Sequence, residues 1–211
     1  MSTRKAVQTI NTLSHSASPG PSPAFTAVHV SRAVMEIGNG GPIGRIELSK
    51  KLGLGEGAVR TIIKHLANSG YVDAAREGCL LTQRGMALYS SLHSKLSEIH
   101  PVNAGQLALD RASAGVLIRD SSAAVRRGIE QRDAAIVAGA SGACTLVYRN
   151  GKCLMPMGER EEWTLGSQDL LFEELRRLFA PQEGDVITIV SARNAGLAEH
   201  GAMAAALTLL G

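Results

Sequence analysis

The sequence predicts an α+β protein with two domains: a helix-rich domain that contains one small hairpin, followed by a small two-layer α/β domain. Apolar residues recur at helical spacing in the first hundred residues, and strands alternate with helices after that. The chain has 211 residues, enough for two cores. Hydrophobic residues make up 45% of it and charged residues 19%, which is typical of a folded protein.

Proline and serine mark the expected domain boundaries. Residues 1–22 contain SASPGPSP, which cannot hold a helix, so we expect a flexible tail there. The first domain is expected over 23–100 and the second over 104–211, because Pro101 marks a break between them. The start of the chain lacks the apolar core of a secretory signal, and no apolar run is long enough to predict a membrane span. Three scattered cysteines suit a reducing cytoplasm.

Helices dominate the expected first domain. The apolar pattern predicts a helix from Pro23 to Ile37, which Gly-Asn-Gly-Gly-Pro ends, and a short second helix in GRIELSKKLG. A third helix is expected over 56–69. YVDAAREGCLLT predicts two short strands around Arg76-Glu77-Gly78, and RGMALYSSLHSKLSEI predicts a closing helix.

Strands and helices alternate in the expected second domain. SAGVLIRD predicts a strand that ends at Asp120, a natural N-cap for the helix SSAAVRRGIEQRDAAIVAG. CTLVYRNGKCLMPM predicts a hairpin, because Asn150-Gly151 is a strong two-residue turn signal, and its register places Tyr148 opposite Cys153. A helix in SQDLLFEELRRLF, a strand in DVITIVSA and an Ala-rich helix in NAGLAEHGAMAAALTLL complete the domain.

The helix over 56–69 has an apolar face and a polar face. Its neighbours predict a function for the polar face: a short helix, a three-residue turn and a second helix make a helix-turn-helix, and the hairpin adds a wing. In a winged helix the second helix enters the major groove of DNA while the wing lies along the backbone. The expected residues for binding double-stranded DNA are Arg45, Gly57, Arg60, Thr61, Lys64, His65 and Arg76.

Charge is distributed in agreement with this hypothesis. Residues 1–100 contain 11 Lys and Arg against 6 Asp and Glu, a net charge of +5, whereas residues 101–211 have a net charge of −2. The first half is therefore the one that could meet a polyanion. Polar residues on an amphipathic helix can also be merely solvated, and some winged helices bind protein, so a protein-binding role in a larger assembly stays open.

Catalysis is the third possibility, as an enzyme with a regulatory winged helix. We expect no enzyme and no cofactor, because the sequence shows no nucleophile with a base, no Walker lysine, no HExxH and no GxSxG. No metal site is expected either, since no CxxC or cluster of histidines is present.

Two further expectations concern a small-molecule effector and a homodimer. The strand ends at Arg119-Asp120 and Arg193-Asn194 each precede a helix, and two such helix N-termini together can bind a small anion in one site; simple capping is the alternative. A dimer would suit a helix-turn-helix, because two half-sites double the contacts. The heptad seam that could form it, or pack within its own domain, is Tyr89, Leu92, Leu96 and Ile99.

Residues 42–88 resemble winged-helix transcription regulators. The motifs are G-R-x-E-L followed by L-G, then V-R-x-x-I-x-x-L-x-x-x-G-Y-V, then L-T-x-x-G. A longer match, which includes GIEQRDAAIVAGASGACTLVYRNGKCLMP and covers about residues 24–210, resembles an uncharacterised archaeal family that joins a winged helix to a C-terminal α/β domain. The resemblance implies a DNA-binding regulator from an archaeon, and it implies no particular ligand.

Overall fold

The computed structural model describes residues 1–15, 24–156, 162–166 and 168–210. They form two compact units, Met1–His93 and Ser94–Leu210. The predicted α+β class is confirmed, with a helical first unit and a sheet in the second. The boundary lies earlier than the expected junction, because a turn at residues 94–95 follows His93 and Leu96 already pairs with Ile118.

The first unit has the expected order of helix, helix, turn, helix, hairpin and helix, with one more helix in front. Its elements are α1 Thr3–Ser14, α2 Ala27–Gly40, α3 Arg45–Leu52, α4 Glu56–Asn68, β1 Val72–Ala75, β2 Gly78–Leu81 and α5 Gln83–His93. α3 ends as predicted at Gly53, whose left-handed φ of 66° favours glycine. The predicted start of α2 at Pro23 lies outside the described residues; the helix itself begins after Thr26, whose backbone N–H donates to His29 Nδ1 at 3.1 Å.

The expectation of a flexible tail over 1–22 is wrong for residues 3–14, which form α1. Ala6, Ile10 and Leu13 are buried at spacings of four and three, so one face of the helix belongs to the core of the first unit. The Ser91 hydroxyl on α5 donates to the carbonyl of Met1 at 2.7 Å and fixes the start of the chain. Residues 16–22 of the expected tail lie outside the described part of the chain.

The expected hairpin of the first unit is present, with Arg76 and Glu77 in its turn, whereas Gly78 of the expected turn is the first residue of β2. A third segment joins it, because Ile43 pairs with Cys79 through two backbone hydrogen bonds of 2.9 and 3.2 Å. This close approach explains Gly78. Its φ is 134°, and a Cβ there would lie 3.0 Å from the backbone of Ile43.

The predicted heptad seam is not formed. α5 ends at His93, so Leu96 and Ile99 do not continue the helical face of Tyr89 and Leu92. Tyr89 instead covers Gly38 of α2, where a Cβ would lie 2.2 Å from the ring, and its hydroxyl donates to Asn39 Oδ1 at 2.7 Å. The seam thus gives no support to a dimer.

The second unit contains an antiparallel sheet with the strand order β3-β4-β8-β5-β6-β7. Its elements are β3 His100–Pro101, β4 Ala112–Ile118, α6 Ile129–Val137, β5 Gly142–Arg149, β6 Lys152–Pro156, β7 Glu162–Leu165, α7 Leu170–Phe179, β8 Val186–Ala192 and α8 Ala195–Leu207. The expected β5–β6 hairpin is present, with Tyr148 opposite Cys153 and the turn at Asn150-Gly151, where both φ values are positive.

Helices cover both faces of this sheet. α7 contributes Phe172 and Leu175 to a core with Leu146 and Ile187 on one face. α8 packs on the other face, where Gly201 approaches Val190 so closely that a Cβ would lie 2.8 Å from it. The second unit therefore has three layers, with the sheet between two layers of helices. The sequence predicted only two layers for this domain.

The helix expected directly after Asp120 starts eight residues later. A 3₁₀ turn at Ser122–Ala124 comes first, and α6 follows with Gly128, not Asp120, as its N-cap. Gly128 has a φ of 72°, so the backbone changes direction there and a continuous helix over the whole segment cannot form. Among the described residues, every helix is too short or too polar to cross a bilayer.

Candidate nucleic-acid interface

The polar face of α4 carries two exposed cations, Arg60 and Lys64, one helical turn apart. Within the described residues neither side chain makes an ion pair or a hydrogen bond. Val59, Ile62 and Leu66 on the opposite side are 0% exposed, so the helix is fixed by its apolar face while the cations project outward. Two positive groups at this spacing repel each other mildly, and a phosphate between them would remove that repulsion.

Gly57 and Thr61 lie one turn apart near the start of α4. Gly57 is exposed, and a Cβ built there would meet nothing within 4 Å. Packing within the unit therefore does not require glycine, but a ligand that approaches the backbone would. Thr61 is half-buried and its hydroxyl donates to the carbonyl of Gly57 at 3.1 Å, which leaves the oxygen lone pairs for a further donor.

His65 does not belong to the exposed face, contrary to the prediction. Its Nδ1 lies 3.0 Å from the carbonyl oxygen of Leu13, and its ring packs edge-on against Phe25 with 5.7 Å between centroids. Because a carbonyl oxygen can only accept, Nδ1 carries the proton. Position 65 is rotated away from Lys64 by about 100° on an α-helix, and this turns the imidazole toward α1.

Arg45 and Arg76 lie on other elements of the first unit. Arg45 Nε is 3.3 Å from Glu56 Oε2, and both side chains are about half exposed. This pair links the starts of α3 and α4 and partly neutralises Arg45. Arg76 is exposed in the hairpin turn, as a wing contact requires, beside the acidic Glu77. A further arginine of the first unit, Arg84 on α5, is held over the ring of Tyr71 at 4.5 Å.

The predicted ligand site in the second unit is not formed. β4 and β8 are antiparallel, with Ala112 opposite Ala192 and Ile118 opposite Val186. Arg119-Asp120 therefore lies at one end of the sheet and Arg193-Asn194 at the other, at least about 26 Å apart from the rise per residue. Asn194 caps α8 by accepting from the backbone N–H of Leu197 at 3.0 Å, and Asp120 pairs with Lys95 at 3.5 Å.

A different recess in the second unit was missed by the sequence analysis. It lies at the start of α6 beside β5, and its lining includes Arg127, Gly128 and Thr145. The run Arg126-Arg127-Gly128 was the available signal, because two arginines directly before a helix place positive charge at an N-terminus. The sequence prediction placed these three residues in the interior of a long helix from Asp120, so they were not recognised as a helix start.

Thiol chemistry has little support in the structure. Burial raises the pKa of Cys79 and Cys144, and it raises the pKa of Cys153 to about 12. All three cysteines are free thiols that stay protonated near neutral pH. The described ranges contain no group of three or more His, Cys, Asp or Glu side chains that could hold a metal ion.

Comparison with known proteins gives two family similarities. Residues 39–87 match the model of the PH0730-like N-terminal domain, and residues 109–209 match a domain of unknown function, DUF4443. No curated protein matches the chain. A solved structure, the hypothetical protein PH0730 from Pyrococcus horikoshii OT3, is similar with a TM-score of 0.70 and 25% sequence identity, over 88% of this chain and 92% of that one. The chain is thus similar in both of its units to an uncharacterised archaeal protein.

Proposed function

We propose that the first unit binds double-stranded DNA through α4 and the hairpin turn, and that the chain acts as a transcription regulator. The observation that carries this proposal is the outward pair Arg60 and Lys64 on a helix whose other face is fully buried. A helix held in this way can lie in the major groove without rearranging its own domain. Arg76 extends the positive surface to the wing, where backbone phosphates would lie.

The residues divide by the kind of contact that they would make. Arg60 has the planar donor pattern that pairs with a guanine edge, so its role would be sequence discrimination. Lys64 would contact a phosphate and add affinity without sequence information. Gly57 would let the helix start approach the backbone of the duplex. His65 has no place in this interface, because it is committed to α1.

The second unit would then sense a small ligand or hold two copies of the chain together. We propose a binding role for it, not a catalytic one. Asp133, an acidic residue on α6, pairs with its neighbour Arg132 at 3.0 Å on the surface. The raised pKa values of the cysteines also remove the usual nucleophile.

Fluorescence anisotropy with a pool of labelled duplexes would test the proposal. Arg60→Ala should relax the preference at one base position, and Lys64→Ala should weaken binding to all sequences alike. Lys152→Ala is the matched control, since Lys152 is an exposed lysine in the second unit, and it should leave binding unchanged. If Arg60→Ala and Lys64→Ala both bind like the original chain, DNA binding by this face is refuted and a protein partner becomes the better explanation.

A further inference from the structure

We propose that the recess at the start of α6 binds a tetrahedral oxyanion, either free phosphate or the phosphate group of a small phosphomonoester. We call it the α6 recess; the lining residues that matter are Arg127, Gly128, Arg132, Cys144, Thr145 and Met155. It lies within the second unit alone. Anion binding at the α6 recess therefore does not depend on the DNA-binding proposal. If the chain is a transcription regulator as proposed, the α6 recess would be its effector site.

The start of α6 provides backbone donors. The helix has nine residues, and its N-cap is Gly128, which has no side chain to satisfy the first N–H groups. Uncapped N–H groups and the positive end of the helix dipole favour an anion at this point. A helix N-terminus alone does not identify an anion site, so the proposal depends on the side chains that surround the start of α6.

The buried hydroxyl of Thr145 is an independent observation that points to a ligand in the recess. It is 3% exposed, it lines the recess, and its hydroxyl has no hydrogen-bond partner among the described residues. The hydroxyl faces the helix cap, because a Cβ built on Gly128 would lie 3.3 Å from Thr145 Oγ1. A buried hydroxyl without a partner is unfavourable, and a ligand oxygen in the recess would satisfy it.

A gap between strands leaves room for the ligand. β5 and β6 pair from Arg149 and Lys152 only as far as Val147 and Leu154, whereas β6 pairs with β7 from Cys153 to Pro156. The recess occupies the wedge beyond this point, with a volume of about 100 Å³. One water takes about 30 Å³ in the liquid, so the space suits one tetrahedral anion and not a whole nucleotide.

Arginine charge makes the site selective for anions. Arg127 and Arg132 both line the recess, and Arg127 makes no ion pair with any described residue. Arg132 shares its charge with Asp133 at 3.0 Å, and Glu130 in the first turn of α6 adds a second negative group on the exposed side. Arg127 is thus the principal cation, and the sulfur atoms of Cys144 and Met155, 3.5 Å apart, form an apolar wall.

An NMR titration of the whole chain would test the proposal, with sodium phosphate against sodium chloride at matched ionic strength. Phosphate should give saturable amide shifts grouped at residues 127–132 and 143–145. A second arm uses glycerol 3-phosphate: tighter binding than phosphate identifies a phosphomonoester site, and equal or weaker binding identifies the free anion.

Variants complete the test. Arg127→Ala should weaken phosphate binding about tenfold, as expected for the loss of one charge-assisted contact. Thr145→Val, which keeps the shape of the side chain, should also weaken it, and Thr145→Ser should retain it. Arg126→Ala is the matched control, because Arg126 is exposed next to Arg127 but does not line the recess.

Three results would each overturn the inference: chloride reproducing the shifts, Arg126→Ala weakening binding as much as Arg127→Ala, or Thr145→Val binding like the original chain. The variants' amide spectra outside the recess serve as the check of folding. Failure here would leave the DNA-binding proposal intact, and failure of DNA binding would leave this site intact.

Discussion

Replacing Lys64 with alanine should change the salt dependence of duplex binding by a fixed amount. Of the exposed cations that the proposal uses, Lys64 and Arg76 would contact phosphates, whereas Arg60 would contact a base edge. Each neutralised phosphate contributes about −0.9 to the slope of log affinity against log salt, so two phosphate contacts give a slope of about −1.8 for one copy of the chain. Between about 50 and 200 mM salt the affinity should then fall about 12-fold.

The variant removes one of these contacts. With Lys64→Ala the slope should become about −0.9, and the affinity should fall only about 3.5-fold over the same range. Anisotropy titrations at four or five salt concentrations would measure both slopes, with Lys152→Ala as the control. A Lys64→Ala slope equal to that of the original chain would refute the assignment of this lysine to a phosphate, even if the absolute affinity had changed.

Three more predictions concern the first unit. Ile10→Ala should lower the unfolding free energy of this unit by about 2–5 kcal/mol, because Ile10 is buried in its core; urea unfolding would measure it, and a negligible change would contradict the packing of α1. Gly57→Ala should stabilise the helix by up to about 1 kcal/mol in thermal unfolding yet weaken duplex binding, and undiminished binding would exclude a close backbone approach. Burial and the nearby Arg32 lower the pKa of His29 to about 4, below its value of 6.5 in the unfolded chain. The unfolded state therefore binds more protons, and stability should fall as pH drops from 6.5 toward 4. His29→Gln should flatten that decline in urea titrations, and an unchanged decline would place its cause elsewhere.

Short sequence motifs were sufficient to predict the elements whose structure depends on neighbouring residues alone. Asn150-Gly151 specified its turn and the register of Tyr148 with Cys153, because a two-residue loop admits few conformations. Gly53 ended α3 for a similar reason. The apolar spacing of Val59, Ile62 and Leu66 likewise placed α4 and its polar face.

The features that were predicted wrongly depend on contacts between residues far apart in the sequence. Ala6, Ile10 and Leu13 have helical spacing, but the proline-rich stretch after them suggested a tail, and only the partners of α1 in the folded unit reveal its role. His65 was assigned to the exposed face because helix periodicity alone does not show that Leu13 and Phe25 lie beside it. The strand ends at Asp120 and Arg193 were combined into one site because the direction of β4 relative to β8 is a property of topology, and no local motif encodes it.

Pairing among the charged groups limits the proposed DNA-binding surface to fewer cations than the net charge suggests. The first half of the chain has an excess of positive charge, but several of its cations are used within the fold. Lys51 pairs with Glu36 at 2.8 Å, Arg45 pairs with Glu56, and Arg84 stacks on Tyr71. A cation that is already paired gains less from a phosphate, because its existing partner must be weakened first.

Arg60 and Lys64 have no such competitor among the described residues, and they share one face of one helix. If DNA binding used the excess charge of the unit as a diffuse field, removing any exposed cation would have a similar effect. If it uses α4, the effect should be concentrated at positions 60 and 64, and neutralising Arg45 should matter less than neutralising either of them. Comparing Arg45→Ala with Lys64→Ala in the same salt series therefore separates a docked helix from general electrostatic attraction.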